Sequence, residues 1–175
     1  MITCFCLLAL NVAILHRYDG PYNGGADRMT LLVLVCLSLA HLLPDGDWAE
    51  LALAYLAFQL VFSYALSGWV KLRNPDWRSG RALVDVFLFS AYPVSEALRG
   101  LSDRTRLLFV ASWSVIGLEI FFPLALFHPW LLAIALGLTV VFHIANACVF
   151  GLNRFLWAWL AAYPSLIWFQ ARIFD

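Results

Sequence analysis

The sequence predicts an all-α, polytopic membrane helical bundle, with about five spanning helices accompanied by re-entrant or interfacial ones. Three observations carry this reading. Of the 175 residues, 63% are hydrophobic and only 13% charged, and mean hydropathy is +0.84, far from the composition of a water-soluble domain. Several apolar runs approach or exceed the roughly 20 residues that cross a hydrocarbon core of about 30 Å. Those runs are continuously aliphatic, without the alternation of barrel strands, so helices that satisfy their own backbone are expected. The lipid bilayer is the partner this composition demands. Formal net charge is zero, with no basic or acidic tail, which argues against nucleic acid. Cys4, Cys6, Cys36 and Cys148 lie in apolar runs with no C-x-x-C pair, so neither a disulfide framework nor a dithiol redox site is expected.

Taken in order, the first run, Ile2 to Leu15, is short for a span and lacks the basic start and small-x-small end of a signal peptide. It reads as a short or truncated membrane segment. The stretch from His16 to Arg28, with Gly-Pro and Asn-Gly-Gly, is expected to be a turn-rich loop. Met29 to Leu43 forms a second short run, stopped by Pro44 and Asp45. Asp47 is expected to cap the third helix, with Glu50 three residues on completing a capping box. That helix, about Trp48 to Leu72, is long enough to span. Along it Tyr55, Gln59, Ser63, Ser67 and Lys71 recur every fourth residue, a polar stripe that would face the bundle interior.

Segment four, Ala82 to Leu98, carries Asp85, Ser90, Pro93, Ser95 and Glu96. It lies between two basic loops, one with Lys71, Arg73, Arg78 and Arg81, the other with Arg99, Arg104 and Arg106. Positive loops stay on one side of the membrane, so a re-entrant or interfacial helix is predicted here. Segments five, about Arg106 to Phe127, and six, Trp130 to Leu152, are separated only by His128-Pro129 and must form an antiparallel hairpin. Segment seven, Arg154 to Phe169, holds Trp157, Trp159, Tyr163 and Trp168 around Pro164, which predicts a kinked or partly interfacial helix. No internal repeat or linker is visible, so residues 1–175 read as one domain.

Ionisable residues within apolar segments are costly to bury and are functional candidates by default. Lys71, the only lysine beside ten arginines, closes the third segment; Glu119 lies inside the fifth and His143 inside the sixth. Thr139, His143, Asn146 and Asn153 share one face of the sixth, so two striped helices would enclose one polar cavity. A lysine withdrawn from water gives up its proton more readily and can serve as a base. His143 can donate or accept a hydrogen bond, and Asn146 can orient it or stabilise an oxyanion. At a rise of about 1.5 Å per residue, Glu119 lies about 14 Å and His143 about 22 Å from the hairpin tip, so their direct contact needs favourable tilt. Each residue has a plainer alternative: a snorkelling Lys71, a Glu119 paired with a loop arginine, and a His143–Asn146 couple that only bonds helices together. Trp69 and Trp77 read more simply as interfacial belt residues. Neither H-E-x-x-H nor H-x-x-E-H occurs, so no metal is expected.

Tyr64-x-x-x-Gly68, Lys71-Leu72, Asp76-Trp77, Gly80 and Ala82-Leu83 together resemble the motif of the vitamin K-dependent γ-carboxylase family and its bacterial relatives, the horizontally transferred transmembrane (HTTM) domain proteins. Leu15-His16-Arg17 with Asn23-Gly24-Gly25-Ala26-Asp27 upstream, and Phe142-His143-x-x-Asn146, Phe150 and Ala161-x-x-Pro164 downstream, are similar to further segments of that family. The resemblance implies that Lys71 is the base that deprotonates a reduced, vitamin K-like quinone so that oxygen can add. Carboxylation or oxidation of a peptide or protein substrate would follow, with His143, Glu119 and Asn146 near the chemistry and Gln59, Ser63, Ser67 and Trp77 lining the cofactor's place. It also implies further helices ahead of this region, hence a chain shortened on its N-terminal side, and a bacterial cytoplasmic membrane as location. A second class of function is a non-catalytic membrane subunit that binds lipid or quinone and a partner chain.

Overall fold

In a computed structural model of the chain, the described residues are 2–19, 24–42, 46–89 and 96–174; they are helical almost throughout and contain no strand. The helices are α1 (Ile2–Arg17), α2 (Gly24–Leu42), α3 (Gly46–Arg73), α4 (Pro75–Ser79), α5 (Arg81–Phe89), α6 (Glu96–Arg99), α7 (Thr105–Phe121), α8 (Pro129–Phe150) and α9 (Asn153–Phe174). Tighter 3₁₀ turns at Gly100–Asp103 and Phe122–Phe127 follow α6 and α7. Among the described residues, four helices are long and apolar enough to cross a membrane: α2, α3, α7 with its 3₁₀ extension, and α8. The chain is an integral membrane protein of polytopic helical build.

The contacts divide into two compact units, Met1–Leu60 with Arg154–Asp175, and Val61–Asn153. In the first, α2 begins at Gly24, well before the expected Met29. Two interactions draw residues 24–28 into the helix. The carboxylate of Asp27, buried in the first turn where the helix dipole favours it, is ion-paired with Arg154. Gly25 lies where a Cβ would meet the ring of Phe155 at 2.7 Å, so α9 packs directly on the α2 backbone. Residues 20–23 and 43–45, where a turn and a Pro44 stop were expected, lie outside the described residues. The helix α3 starts at Gly46, so Asp47 falls in its first turn instead of capping it, and the Glu50 carboxylate is taken by Arg172, at 2.5 Å, instead of closing a capping box. The helix α9 runs through Pro164 from Asn153 to Phe174.

In the second unit, segment four is described only at its two ends. Its described part is α5, nine residues, and α6, four residues, neither long enough to span; Ser90, Pro93 and Ser95 lie outside the described residues. Arg99 closes α5 by donating to the carbonyls of Phe87 (3.2 Å) and Leu88 (2.9 Å). Phe87 packs with Leu108 of α7 and Phe150 of α8, forming the apolar core beneath it. The α7–α8 hairpin forms as expected: Pro129 stands in the first turn of α8, and the His128 side chain accepts from the Trp130 amide at 3.2 Å.

Candidate functional site

The site grows out of one line of residues on α3. Tyr64, Ser67, Gly68 and Lys71 stand at i, i+3, i+4 and i+7, hence on one face. The expected stripe from Tyr55 to Lys71 is only partly this face. Steps of four residues turn the helix by about 400°, so the stripe drifts about 40° per step and ends about 160° from its start. Tyr55 is accordingly half exposed, and the line that is buried is Leu56, Leu60, Tyr64 and Gly68. The last two members of the stripe, Ser67 and Lys71, reach the helix opposite.

That helix is α7, whose Ser112, Ile116 and Glu119 repeat on its buried face. Gly68 lets the two backbones meet: a Cβ there would stand 2.7 Å from the Ile120 amide nitrogen and 2.9 Å from the Glu119 Cβ. At this closest approach Lys71 Nζ donates to both oxygens of Glu119, at 2.9 and 2.7 Å, and to the Ser67 hydroxyl at 2.6 Å. Ser67 in turn donates to Glu119 at 3.3 Å. The pair is well withdrawn from the surface, with side chains 16% and 5% exposed. Glu119 therefore pairs with Lys71, not with a loop arginine, and Lys71 turns inward instead of snorkelling.

Beyond α3 the chain folds back over this pair. Asn74 is extended, as a residue before proline must be, and its side chain accepts from the Asp76 amide at 2.9 Å to start α4. Gly80 ends α4 in the left-handed conformation, φ 80°, where a Cβ would also run into the Phe109 backbone at 2.8 Å. Ser112 donates to the Trp77 carbonyl at 2.5 Å and the Trp113 indole to the Arg78 carbonyl at 3.1 Å. Held on α7 by these three contacts, α4 brings the Trp77 ring to 5.1 Å from Lys71 Nζ, a cation–π distance.

A second polar pair lies two turns back along α3. The Tyr64 hydroxyl and His143 Nε2 share a hydrogen bond of 2.7 Å, and Phe122 covers the Tyr64 ring with centroids 4.2 Å apart. Thr139, His143 and Ala147 form the buried line of α8.

The family model of the HTTM domain matches residues 46–171. The chain belongs to the HTTM domain family. The matched span contains every residue of both pairs, whereas the Asn23 to Asp27 stretch lies ahead of it. No curated protein and no solved structure matches the chain.

Within this HTTM domain the site candidates separate into groups. Lys71, Glu119, Ser67 and Trp77 come together; His143 joins Tyr64 instead of Glu119, so the polar groups meet as two pairs on α3 instead of one cluster. The Asn146 amide donates to the Phe142 carbonyl of its own helix, at 3.1 Å, and neither orients His143 through that bond nor reaches Lys71. Gln59 donates to the Tyr55 hydroxyl at 3.0 Å, three turns from Lys71, and Ser63 is half-buried two turns from it. Among the described residues, no group of three or more His, Cys, Asp or Glu is arranged to hold a metal ion. Tyr64 is not among the candidates that the sequence pattern singles out, although it opens the Tyr64-x-x-x-Gly68 motif; its i, i+4, i+7 relation to Gly68 and Lys71 is the signal that could have found it.

Proposed function

We propose that this HTTM protein is a membrane-embedded, vitamin K-dependent carboxylase-like enzyme in which Lys71 is the base and Glu119 its proton partner. The single observation that supports this most strongly is the Lys71–Glu119 pair itself: the chain's one lysine is held at 2.7 Å from a buried carboxylate beneath an indole ring. In a poorly solvated site the ionic form loses much of its hydration, so the gap to the neutral amine–carboxylic acid form narrows. Passage of the proton from Nζ to Glu119 leaves an amine that can take a proton from an acidic hydroxyl, and Ser67 keeps that amine oriented. The donor set fits a reduced quinone: an amine suited to a phenol-type hydroxyl, beside the face of Trp77 for a planar ring. When bound, such a quinone would supply, with oxygen, the driving force for carboxylation or oxidation of a peptide or protein substrate. Purified protein given reduced quinone, oxygen and labelled bicarbonate should form quinone epoxide or fix label. Lys71→Ala should abolish and Glu119→Gln severely reduce turnover; equal turnover in Lys71→Ala refutes the assignment.

One observation favours a second reading. All three ammonium donors of Lys71 are satisfied within the chain, by Ser67 and the two Glu119 oxygens, as in a purely structural ion pair joining α3 to α7. The protein would then be a non-catalytic membrane subunit that binds lipid or quinone and a partner chain. Stoichiometric co-purification of a partner, with Lys71→Arg harmless, would favour it over the enzyme.

A further inference from the structure

A groove of about 300 Å³ lies within the first unit, where the start of α3 meets the end of α9; its lining includes Asp47, Glu50, Leu51, Trp168, Phe169 and Arg172. The rim and the walls differ in chemistry. Asp47 and Glu50 stand one turn apart at the head of α3, and Arg172 in the last turn of α9 donates to both Glu50 oxygens, at 2.5 and 3.3 Å. Two carboxylates against one guanidinium leave the rim with one net negative charge. None of the three is buried, since Glu50 and Arg172 remain 44% and 60% exposed and Asp47 is exposed. Below them, Leu51, Trp168 and Phe169 continue the groove as an apolar and aromatic wall.

The depth of this groove in the membrane is set by helix length. The 28 residues of α3 extend about 42 Å, longer than a hydrocarbon core of about 30 Å, and the exposed carboxylates of Asp47 and Glu50, costly to place in hydrocarbon, assign its first turn to the headgroup layer. Trp48, exposed beside Asp47, fits the aromatic belt at that level. A polar rim of mixed sign over an apolar wall, at headgroup depth, matches a phospholipid with its acyl chain along the wall.

We propose that this groove is a binding site for a phospholipid whose headgroup carries a primary ammonium, of the phosphatidylethanolamine class. The ammonium donates to Asp47 and Glu50, and the phosphate lies toward Arg172. The net negative rim disfavours an anionic glycerol headgroup. A choline headgroup offers a cation with no N–H to donate, and so loses the charge-assisted bonds that a primary ammonium makes.

The test is native mass spectrometry of the protein released from nanodiscs containing equal parts phosphatidylethanolamine, phosphatidylcholine and phosphatidylglycerol with identical acyl chains. One phosphatidylethanolamine molecule should be retained preferentially, roughly fivefold over either competitor, and Asp47→Asn should reduce that preference to near parity. Asp47 is exposed, so the variant is expected to keep its lipid-free melting temperature in detergent, which is measured alongside; Glu50→Gln is the second variant. Equal retention of the three lipids, or a preference that survives both Asp47→Asn and Glu50→Gln, overturns the proposal.

Discussion

Gly68→Ala should separate α3 from α7 and open the Lys71–Glu119 pair. A Cβ at position 68 would stand 2.7 Å from the Ile120 amide nitrogen, 2.8 Å from Ile120 Cγ1 and 2.9 Å from Glu119 Cβ, whereas carbon contacts settle at about 3.5–4.0 Å. The first of these atoms is backbone, so no rotamer change relieves it and α3 must withdraw by about 1 Å. Such overpacking costs about 1–3 kcal/mol, while alanine recovers about 1 kcal/mol of helix propensity. Gly117 on α7 provides the control, because a Cβ there meets nothing within 4 Å. Gly117→Ala should collect the propensity gain alone, so the two variants should differ by about 1–3 kcal/mol in reversible unfolding in mixed micelles. Spin labels at exposed Val70 and Phe121 should report a lengthening of about 1 Å, the displacement worked out from the contact distances. Equal stability of the two alanine variants, with an unchanged label distance, would refute the close approach on which the site depends.

The same geometry dictates three further outcomes. Lys71→Met and Glu119→Gln should each cost about 3–5 kcal/mol in unfolding titrations, since each strands a poorly solvated charge or partner, while the double variant should recover most of the loss; additive losses would show that the two side chains are not coupled. Tyr64→Phe keeps the stacking on Phe122 but removes the bond to His143 Nε2, and should lower stability by about 1–3 kcal/mol, against no change if that bond is immaterial. Arg154→Gln should cost more than Asp27→Asn, because Asp27 is 1% exposed and would be left as a buried carboxylate, whereas Arg154 is 55% exposed and can turn to water; melting curves in detergent that reverse this order would contradict the burial asymmetry.

The helical class, the α7–α8 hairpin and the candidacy of Lys71, Glu119 and His143 were legible because each rests on local or compositional physics. A run of apolar residues must be helical in lipid, His128-Pro129 leaves room only for a tight reversal, and a charge in an apolar segment announces its own cost. Helix ends were less legible. Residues 24–28 look like loop by composition, yet Asp27 finds Arg154 across 127 positions of sequence and the helix extends to meet it. The same holds for Glu50, drawn to Arg172 across 122 positions instead of to its own helix start.

By itself the sequence determined which residues carry charge into the apolar segments and that those segments are helices. It could not decide pairing, because the face a residue presents accumulates rotation along the helix while the partner depends on where the neighbouring backbone lies. A four-residue stripe therefore suggested one polar wall. Tertiary structure chose its last turn, because Gly68 removes the side chain that would keep α7 away, and there alone Lys71 reaches Glu119. It also assigned His143 to Tyr64 instead of Glu119, since the buried face of α8 meets α3 two turns before Lys71. Burial and close approach, which belong to pairs of helices and not to either one, made the distinction.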